Sequence, residues 1–201
     1  MFKKSSSVKT KHIIVVSGLP RSGTSMMMKM LIEGGLQAVT DSQRPADDDN
    51  PNGYFEFEPV KQLADGQDAW LKAAQGRVVK VISHLLEHLP ATYHYKVIFM
   101  ERSLPEVLVS QKKMLEHRNA SSTTSDQNLE QISQKHLAAI KYWLARQQNF
   151  ETLYMRYNAL LASPDEHSHR VADFIGVPMD VEKMRKVPNE DLYRNRASAR
   201  N

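Results

Sequence analysis

A short stretch rich in glycine and hydroxyl residues follows an apolar run near the start of the chain. It reads GLPRSGTS over residues 18–25, and its two glycines, Gly18 and Gly23, stand five positions apart. That spacing is the one found in the phosphate loop GxxxxGK[ST]. The backbone amides of such a loop, together with the N-terminus of the helix that follows, bind an anion. The sequence therefore predicts an anion site at this turn.

The loop departs from the nucleotide triphosphatase pattern at the residue after the second glycine. That residue is Thr24 and not lysine, and Arg21 is the only basic residue of the loop. Without the lysine the loop is poorly suited to β- and γ-phosphates, whereas one guanidinium can bind two oxygens of a compact anion. Ser22 and Ser25 add hydroxyl groups. The alternative is a Gly/Ser turn that binds nothing, and the strand and helix on either side favour the anion site.

Strands that alternate with helices are expected to position these residues. Continuous apolar and β-branched runs predict buried strands at 12–17, 77–82, 95–100 and 152–157. The alternation predicts an α/β fold, a three-layer P-loop-type parallel sheet with helices on both faces. Ligands of such sheets bind beyond the carboxyl ends of the strands.

Helix signals fall between and after these strands. An apolar segment stops at Gly34-Gly35, and a capping box that ends at Glu106 starts another helix. The helical segments are expected at 26–33, 60–75, 103–117, 127–149, 158–163 and 166–175. Regular structure is expected to end at Gly176-Val-Pro178. We expect one domain over 1–201, with basic tails at 1–11 and about 185–201.

Composition excludes several classes of protein. The chain of 201 residues has no cysteine, which excludes disulfides, thiolate catalysis and cysteine-ligated zinc. No apolar run approaches the length of a membrane-spanning helix, and a cytoplasmic location is expected. The net charge is +4, but residues 1–11 contribute +4 and residues 185–201 contribute +3, which leaves −3 on the remainder. A nucleic-acid binder more often has a basic face on its folded core, so we expect no nucleic-acid partner.

Four stretches together resemble the sulfotransferases that use 3′-phosphoadenosine-5′-phosphosulfate (PAPS), and the whole chain resembles a small bacterial member. PRSGTS after an apolar strand resembles their 5′-phosphosulfate loop, and VIFMERSLPEVLVSQ resembles their 3′-phosphate motif. NPNGYFEFEPV resembles the segment after the first helix in bacterial and carbohydrate-type members. TLYMRYNALLASPDEHSHRVADFIGVP is similar to their C-terminal strand and helices. The quoted stretches are residues 20–25, 97–111, 50–60 and 152–178.

The resemblance implies a P-loop sulfotransferase fold, PAPS as donor and 3′,5′-ADP as product. It assigns the 3′-phosphate to Arg102 and Ser110, since the family motif has an arginine at a strand end and a serine eight residues later. The alternative for Arg102 is a surface arginine that pairs with Glu101 or Glu106. It assigns the 5′ end of the donor to the loop residues Pro20, Arg21, Ser22, Gly23, Thr24 and Ser25.

The resemblance also implies the residues of the chemistry. Arg21 and the loop amides would face the charge that grows on the leaving phosphate, and Lys80 would lie near the sulfuryl group. Family members use glutamate or histidine as the general base, and Glu56 and Glu58 stand where carbohydrate-type members have a glutamate. Glu56 is the first choice, and His84 is the fallback. The acceptor is expected to be a small molecule or a carbohydrate with a hydroxyl or amine.

Two other functions compete with this one. A P-loop kinase or nucleotide triphosphatase would use Glu101, at the end of an apolar strand, as a Mg²⁺ ligand, but the missing loop lysine opposes it. A regulator that binds a nucleotide without turnover would need no base, and Glu56 and Glu58 oppose that. No metal is expected, because the run Asp47–Asp49 lacks the spacing of a ligand set.

Overall fold

A computed structural model describes residues 12–41, 53–117 and 126–189 of the chain. Its four strands are β1 (Ile13–Gly18), β2 (Val78–Lys80), β3 (Tyr95–Glu101) and β4 (Phe150–Arg156). All pairs are parallel, and the sheet order is β2-β1-β3-β4. Each strand lies within two residues of its predicted limits, and the α/β fold class is confirmed.

Seven α-helices join and follow the strands in the described residues. Two 3₁₀ helices, Glu58–Asp65 and Ser83–His88, lie on either side of β2. The α-helices are α1 (Thr24–Glu33), α2 (Leu71–Ala74), α3 (Leu104–His117), α4 (Asp126–Leu144), α5 (Tyr157–Ala162), α6 (Pro164–Ile175) and α7 (Val181–Met184).

Two apolar cores lie on opposite faces of the sheet, because successive strand residues point to opposite sides. On β1, Ile14 and Val16 pack with the methionines of α1 and with α5, α6 and α7. Ile13 and Val15 pack with the first 3₁₀ helix, α2 and α4. The sheet and the helices on its two faces form the expected three layers, and this packing holds the carboxyl edge of the sheet in place.

Some element limits differ from those expected. The segment 60–75 is not one helix, because the 3₁₀ helix ends at Asp65 and α2 covers only Leu71–Ala74, and α4 ends at Leu144 instead of 149. Helix α7 lies beyond Gly176-Val-Pro178 and packs on α1 through the buried Met184. The tail 1–11 and residues 190–201 lie outside the described residues. Over the described ranges, no helix is both long enough and apolar enough to cross a membrane.

Candidate active site

The turn between β1 and α1 depends on two glycines held against neighbouring elements. Gly18 has φ 144°, and a Cβ there would lie 2.5 Å from the Met100 carbonyl oxygen on β3. Gly23 has φ 98°, and a Cβ there would lie 2.5 Å from Cδ2 of Tyr157. Any side chain at either position would collide with buried atoms and would also strain the backbone. The two glycines therefore allow the turn to pack closely against β3 and Tyr157.

Arg21 adopts a backbone conformation that is uncommon outside glycine. Its φ is 74°, in the left-handed region, where most side chains are strained by about 1–3 kcal/mol. Its Nε donates to Oγ of Ser110 on α3 over 2.9 Å. The structure thus brings together two residues that the sequence assigned to opposite ends of one ligand, and the loop is tied to α3.

Ser22 is buried at the centre of the loop. Its hydroxyl has no hydrogen-bond partner among the described residues. A buried polar group without a partner costs about 1–3 kcal/mol. An anion bound in the loop would satisfy this hydroxyl. The loop therefore fits a compact anion, with Thr24 and Ser25 half-buried at the helix start beside it.

The second arginine lies where β3 ends. Arg102 is 8% exposed, and its Nε donates to Oε2 of Glu106 over 2.9 Å. Its Nη1 donates to the Arg21 carbonyl at 3.4 Å, and its guanidinium stacks 4.5 Å from the centroid of the Tyr157 ring. Glu106 is one of the two partners considered for a surface arginine, but this pair is buried. Ser110 is buried as well.

Sequence reasoning missed two residues of this cluster as site residues. Glu106 was considered as part of a helix cap and as the partner of a surface arginine, but not as a residue of the site. Tyr157 had no local signal. It follows β4 and reaches Gly23 and Arg102 only because β4 lies beside β3 in the sheet. Burial raises the pKa of its hydroxyl, while Arg102 acts in the opposite direction.

Lys80 ends the edge strand β2. Its ammonium group donates to the Tyr54 carbonyl, so the segment that starts at Gly53 is tied to the carboxyl edge of the sheet. Tyr54 is buried, and Phe55 and Phe57 pack against the two cores. Lys80 therefore holds the loop that contains the candidate bases.

The two candidate glutamates lie in different surroundings. Glu56 is half-buried, and its carbonyl accepts from the Thr40 hydroxyl over 2.8 Å and from the Asp41 amide over 3.2 Å. Glu58 is exposed and forms an ion pair of 2.7 Å with Lys61. Because Phe55 has φ 49° and a 3₁₀ helix begins at Glu58, the segment is not one continuous strand.

His84, the fallback base, lies in the 3₁₀ helix that follows β2 and belongs to a cluster with His136 and Ser83. Its ring stacks on that of His136 from α4, with centroids 3.6 Å apart and planes within 1°. Nε2 of His136 forms a hydrogen bond of 2.8 Å with the buried Ser83 hydroxyl. Burial lowers the pKa of His136, and the neighbouring His84 lowers it further, while Glu87 acts in the opposite direction.

A sulfotransferase domain model matches residues 11–195. The chain belongs to the sulfotransferase family. The match covers the loop, both arginines and every strand of the sheet. No curated protein matches this sulfotransferase in sequence.

Solved structures give the same fold. Mouse sulfotransferase SULT7A1, complexed with PAP, is 16% identical with a TM-score of 0.58, over 94% of this chain and 68% of that one. STF1 from Mycobacterium tuberculosis H37Rv is 18% identical with a TM-score of 0.60, over 95% and 73%. The sulfotransferase domain of the curacin biosynthetic pathway is 16% identical with a TM-score of 0.53, over 90% and 79%. At these identities the likeness establishes the fold.

Glu101, the Mg²⁺ ligand of the kinase alternative, has a different contact in this sulfotransferase. Its carboxylate forms an ion pair with Lys141 of α4. Within the described ranges, no group of three or more His, Asp or Glu side chains is arranged to hold a metal ion. The run Asp47–Asp49 lies outside the described residues.

Proposed function

We propose that this sulfotransferase moves a sulfuryl group from PAPS to a hydroxyl or amine of an acceptor and releases 3′,5′-ADP. The observation that carries the choice of donor is the direct link between two anion-binding elements. Arg21 of the glycine-rich loop bonds Ser110, and Arg102 bonds the Arg21 carbonyl. A nucleotide with phosphates at both its 5′ and 3′ positions is the ligand that needs both elements at once. The PAP bound in the mouse neighbour supports this proposal.

In this proposal the loop binds the 5′ end of the donor. The Ser22 hydroxyl and backbone amides of the loop would donate to its oxygens, and Arg21 would face the charge that develops on the leaving group. When bound, PAPS supplies the sulfuryl group and a leaving phosphate. The protein contributes orientation and a fixed set of donors, which need no rearrangement during the reaction.

Arg102 and Ser110 are proposed to bind the 3′-phosphate. Ser110 is buried and the Arg102 side chain is 8% exposed, and charge-assisted hydrogen bonds in such a place are stronger than at an exposed surface. The charge of the 3′-phosphate does not change during the reaction. These two residues are therefore expected to determine donor affinity and not the rate of the bound complex.

Glu56 is proposed as the general base, with Lys80 as the second cation near the sulfuryl group. Glu56 is more enclosed than Glu58, whose carboxylate already pairs with Lys61 on the surface. Lys80, at the end of β2, bonds the backbone carbonyl two residues before Glu56, so the segment with Glu56 is held at the carboxyl edge of β2. His84 remains the alternative base, and the Glu56→Gln variant distinguishes them.

A small molecule or a carbohydrate is proposed as acceptor. Two structural neighbours, both of retinol dehydratase, contain retinol or androsterone, and these support a small hydroxylated molecule. The polar and aromatic residues of 41–58 support a carbohydrate instead. We propose a cytoplasmic location from the composition.

The test is transfer of label from ³⁵S-PAPS to a panel of phenols, sterols, sugars and amines. We expect a labelled product and 3′,5′-ADP in equal amounts, unaffected by EDTA. The Arg21→Ala variant serves as the control for contaminating activity. Phosphate transfer from Mg²⁺-ATP would favour the kinase, and donor binding without transfer to any acceptor class would favour the regulator.

A further inference from the structure

The cluster around Arg102 contains a buried carboxylate to which the proposed chemistry gives no role. The side chains of Glu106 and Arg102 are 4% and 8% exposed; Glu106 lies in the first turn of α3, and Arg102 lies just before that helix. An acidic residue in the first turn of a helix is stabilised by the helix dipole, but that effect requires no burial. Removing two charges from water costs several kcal/mol per ion, so such a pair is weak evidence for stability. Another role must explain its position.

Three contacts together fix the orientation of the Arg102 guanidinium. Glu106 accepts from Nε at 2.9 Å, the Tyr157 ring lies against one face at 4.5 Å, and Nη1 points to the Arg21 carbonyl at 3.4 Å. A guanidinium is planar and presents its N–H groups in fixed directions. The two hydrogen bonds, from Nε and from Nη1, therefore define the plane of the group and where its other N–H groups point.

We propose that Glu106 is a positioning residue that orients Arg102 for the 3′-phosphate and thereby sets the selectivity for 3′-phosphorylated nucleotides. This inference depends on the proposed function, because it assigns the 3′-phosphate to Arg102. Tyr157 has the same effect from the face of the guanidinium. Its ring also contacts Gly23, so the orientation of Arg102 is tied to the shape of the loop.

A competing explanation is that Glu106 only lowers the net charge of the site. On that basis its carboxylate would repel the phosphate, and every variant that removes the charge would bind anions more tightly. Orientation makes a different prediction, since what matters then is an acceptor atom in place for Arg102 Nε. Glutamine retains that atom without the charge, whereas aspartate retains the charge but withdraws the acceptor by one methylene group. Alanine removes both.

The experiment measures dissociation constants of 3′,5′-ADP and 5′-ADP by calorimetry for the wild type and for Glu106→Gln, Glu106→Asp and Glu106→Ala. We expect the ratio of the 5′-ADP constant to the 3′,5′-ADP constant to stay within about threefold of wild type in the glutamine variant. It should fall by about tenfold or more in the aspartate and alanine variants, the usual loss for a hydrogen bond to a charged group. The 5′-ADP constant should change little in all three.

Each result then has one meaning. A wild-type ratio near one contradicts the proposed 3′-phosphate site itself and not merely the part of Glu106. A selective wild type with an altered glutamine variant and a normal aspartate variant overturns orientation in favour of charge. Selectivity unchanged in all three variants also overturns the inference. If the alanine variant does not fold, the comparison of glutamine with aspartate still decides.

Discussion

The substitution Gly23→Ala is expected to destabilise the protein far more than one methyl group added elsewhere would. The new Cβ would lie 2.5 Å from Cδ2 and 3.1 Å from Cε2 of Tyr157, and 3.3 Å from the Met100 side chain. The Tyr157 ring is buried and stacked on Arg102, so it cannot move away without giving up that contact. The substitution would therefore disturb both the loop and the second arginine.

The expected cost has two parts. Alanine at φ 98° costs about 1–2 kcal/mol of backbone strain. Forcing a methyl group into a well-packed site costs about 1–3 kcal/mol more. We therefore expect the free energy of unfolding to fall by about 2–5 kcal/mol, and affinity for 3′,5′-ADP to fall as well, because the loop and Arg102 would both shift.

Gly35→Ala is the matched control. Gly35 has φ 105°, nearly the same as Gly23, but a Cβ there would have no atom within 4 Å. It should lose only the backbone part, about 1–2 kcal/mol, and bind 3′,5′-ADP normally. Urea unfolding at 25 °C measures the free energies, and calorimetry measures the binding.

A double-mutant cycle with Tyr157→Leu isolates the contact itself. If the ring is the obstacle, Gly23→Ala should cost about 1–2 kcal/mol less in the leucine background than in wild type. Equal costs for Gly23→Ala and Gly35→Ala, or no coupling with Tyr157, would refute the close packing of the ring against the loop.

Three other substitutions test the remaining assignments. Arg21→Ala should lower kcat for sulfuryl transfer by about 10²–10³, the usual effect of losing one charge-stabilising donor, and a change in KM alone would contradict that role. Glu56→Gln should lower kcat by about 10²–10⁴ at unchanged 3′,5′-ADP affinity, with Glu58→Gln as the control. Near-normal turnover in both would transfer the role of base to His84. The lowered pKa of His136 means that the unfolded chain binds more protons than the folded one below about pH 6.5. Stability should therefore fall as the pH drops from about 7.5 to about 5.5, and less steeply in His136→Gln; equal slopes in urea titrations would show that His136 does not contribute.

Local sequence patterns were sufficient to predict the strands and the glycine-rich loop. The apolar run before Gly18 is buried on both faces of the sheet, so its pattern depends little on partners, and the five-residue glycine spacing reflects close contacts that the structure contains. The predictions that failed concern elements whose structure depends on contacts between distant segments. Helix α7 is held by Met184, whose sulfur lies within 2.8 Å of where a Cβ on Gly34 would be, and nothing near Met184 in sequence indicates that partner.

In the candidate site, too, local motifs could be read from the sequence and contacts between distant segments could not. The two arginines and Ser110 were identified from motifs, but their mutual hydrogen bonds depend on the order of the strands, which local sequence does not determine. Tyr157 enters the site for the same reason. The surroundings of Glu56 depend on the left-handed backbone conformation of Phe55, which cannot be predicted from the sequence because non-glycine residues rarely adopt it.

The central claim is that the loop and the second arginine together bind a nucleotide phosphorylated at both its 5′ and 3′ positions. The most direct test is the shift in melting temperature caused by equal concentrations of 3′,5′-ADP, 5′-ADP and Mg²⁺-ATP, for wild type and Arg102→Ala. We expect 3′,5′-ADP to cause the largest rise in the melting temperature of the wild type. In Arg102→Ala, the rises caused by 3′,5′-ADP and by 5′-ADP should become similar. Equal shifts for 3′,5′-ADP and 5′-ADP in wild type, or a larger shift with Mg²⁺-ATP, would contradict it.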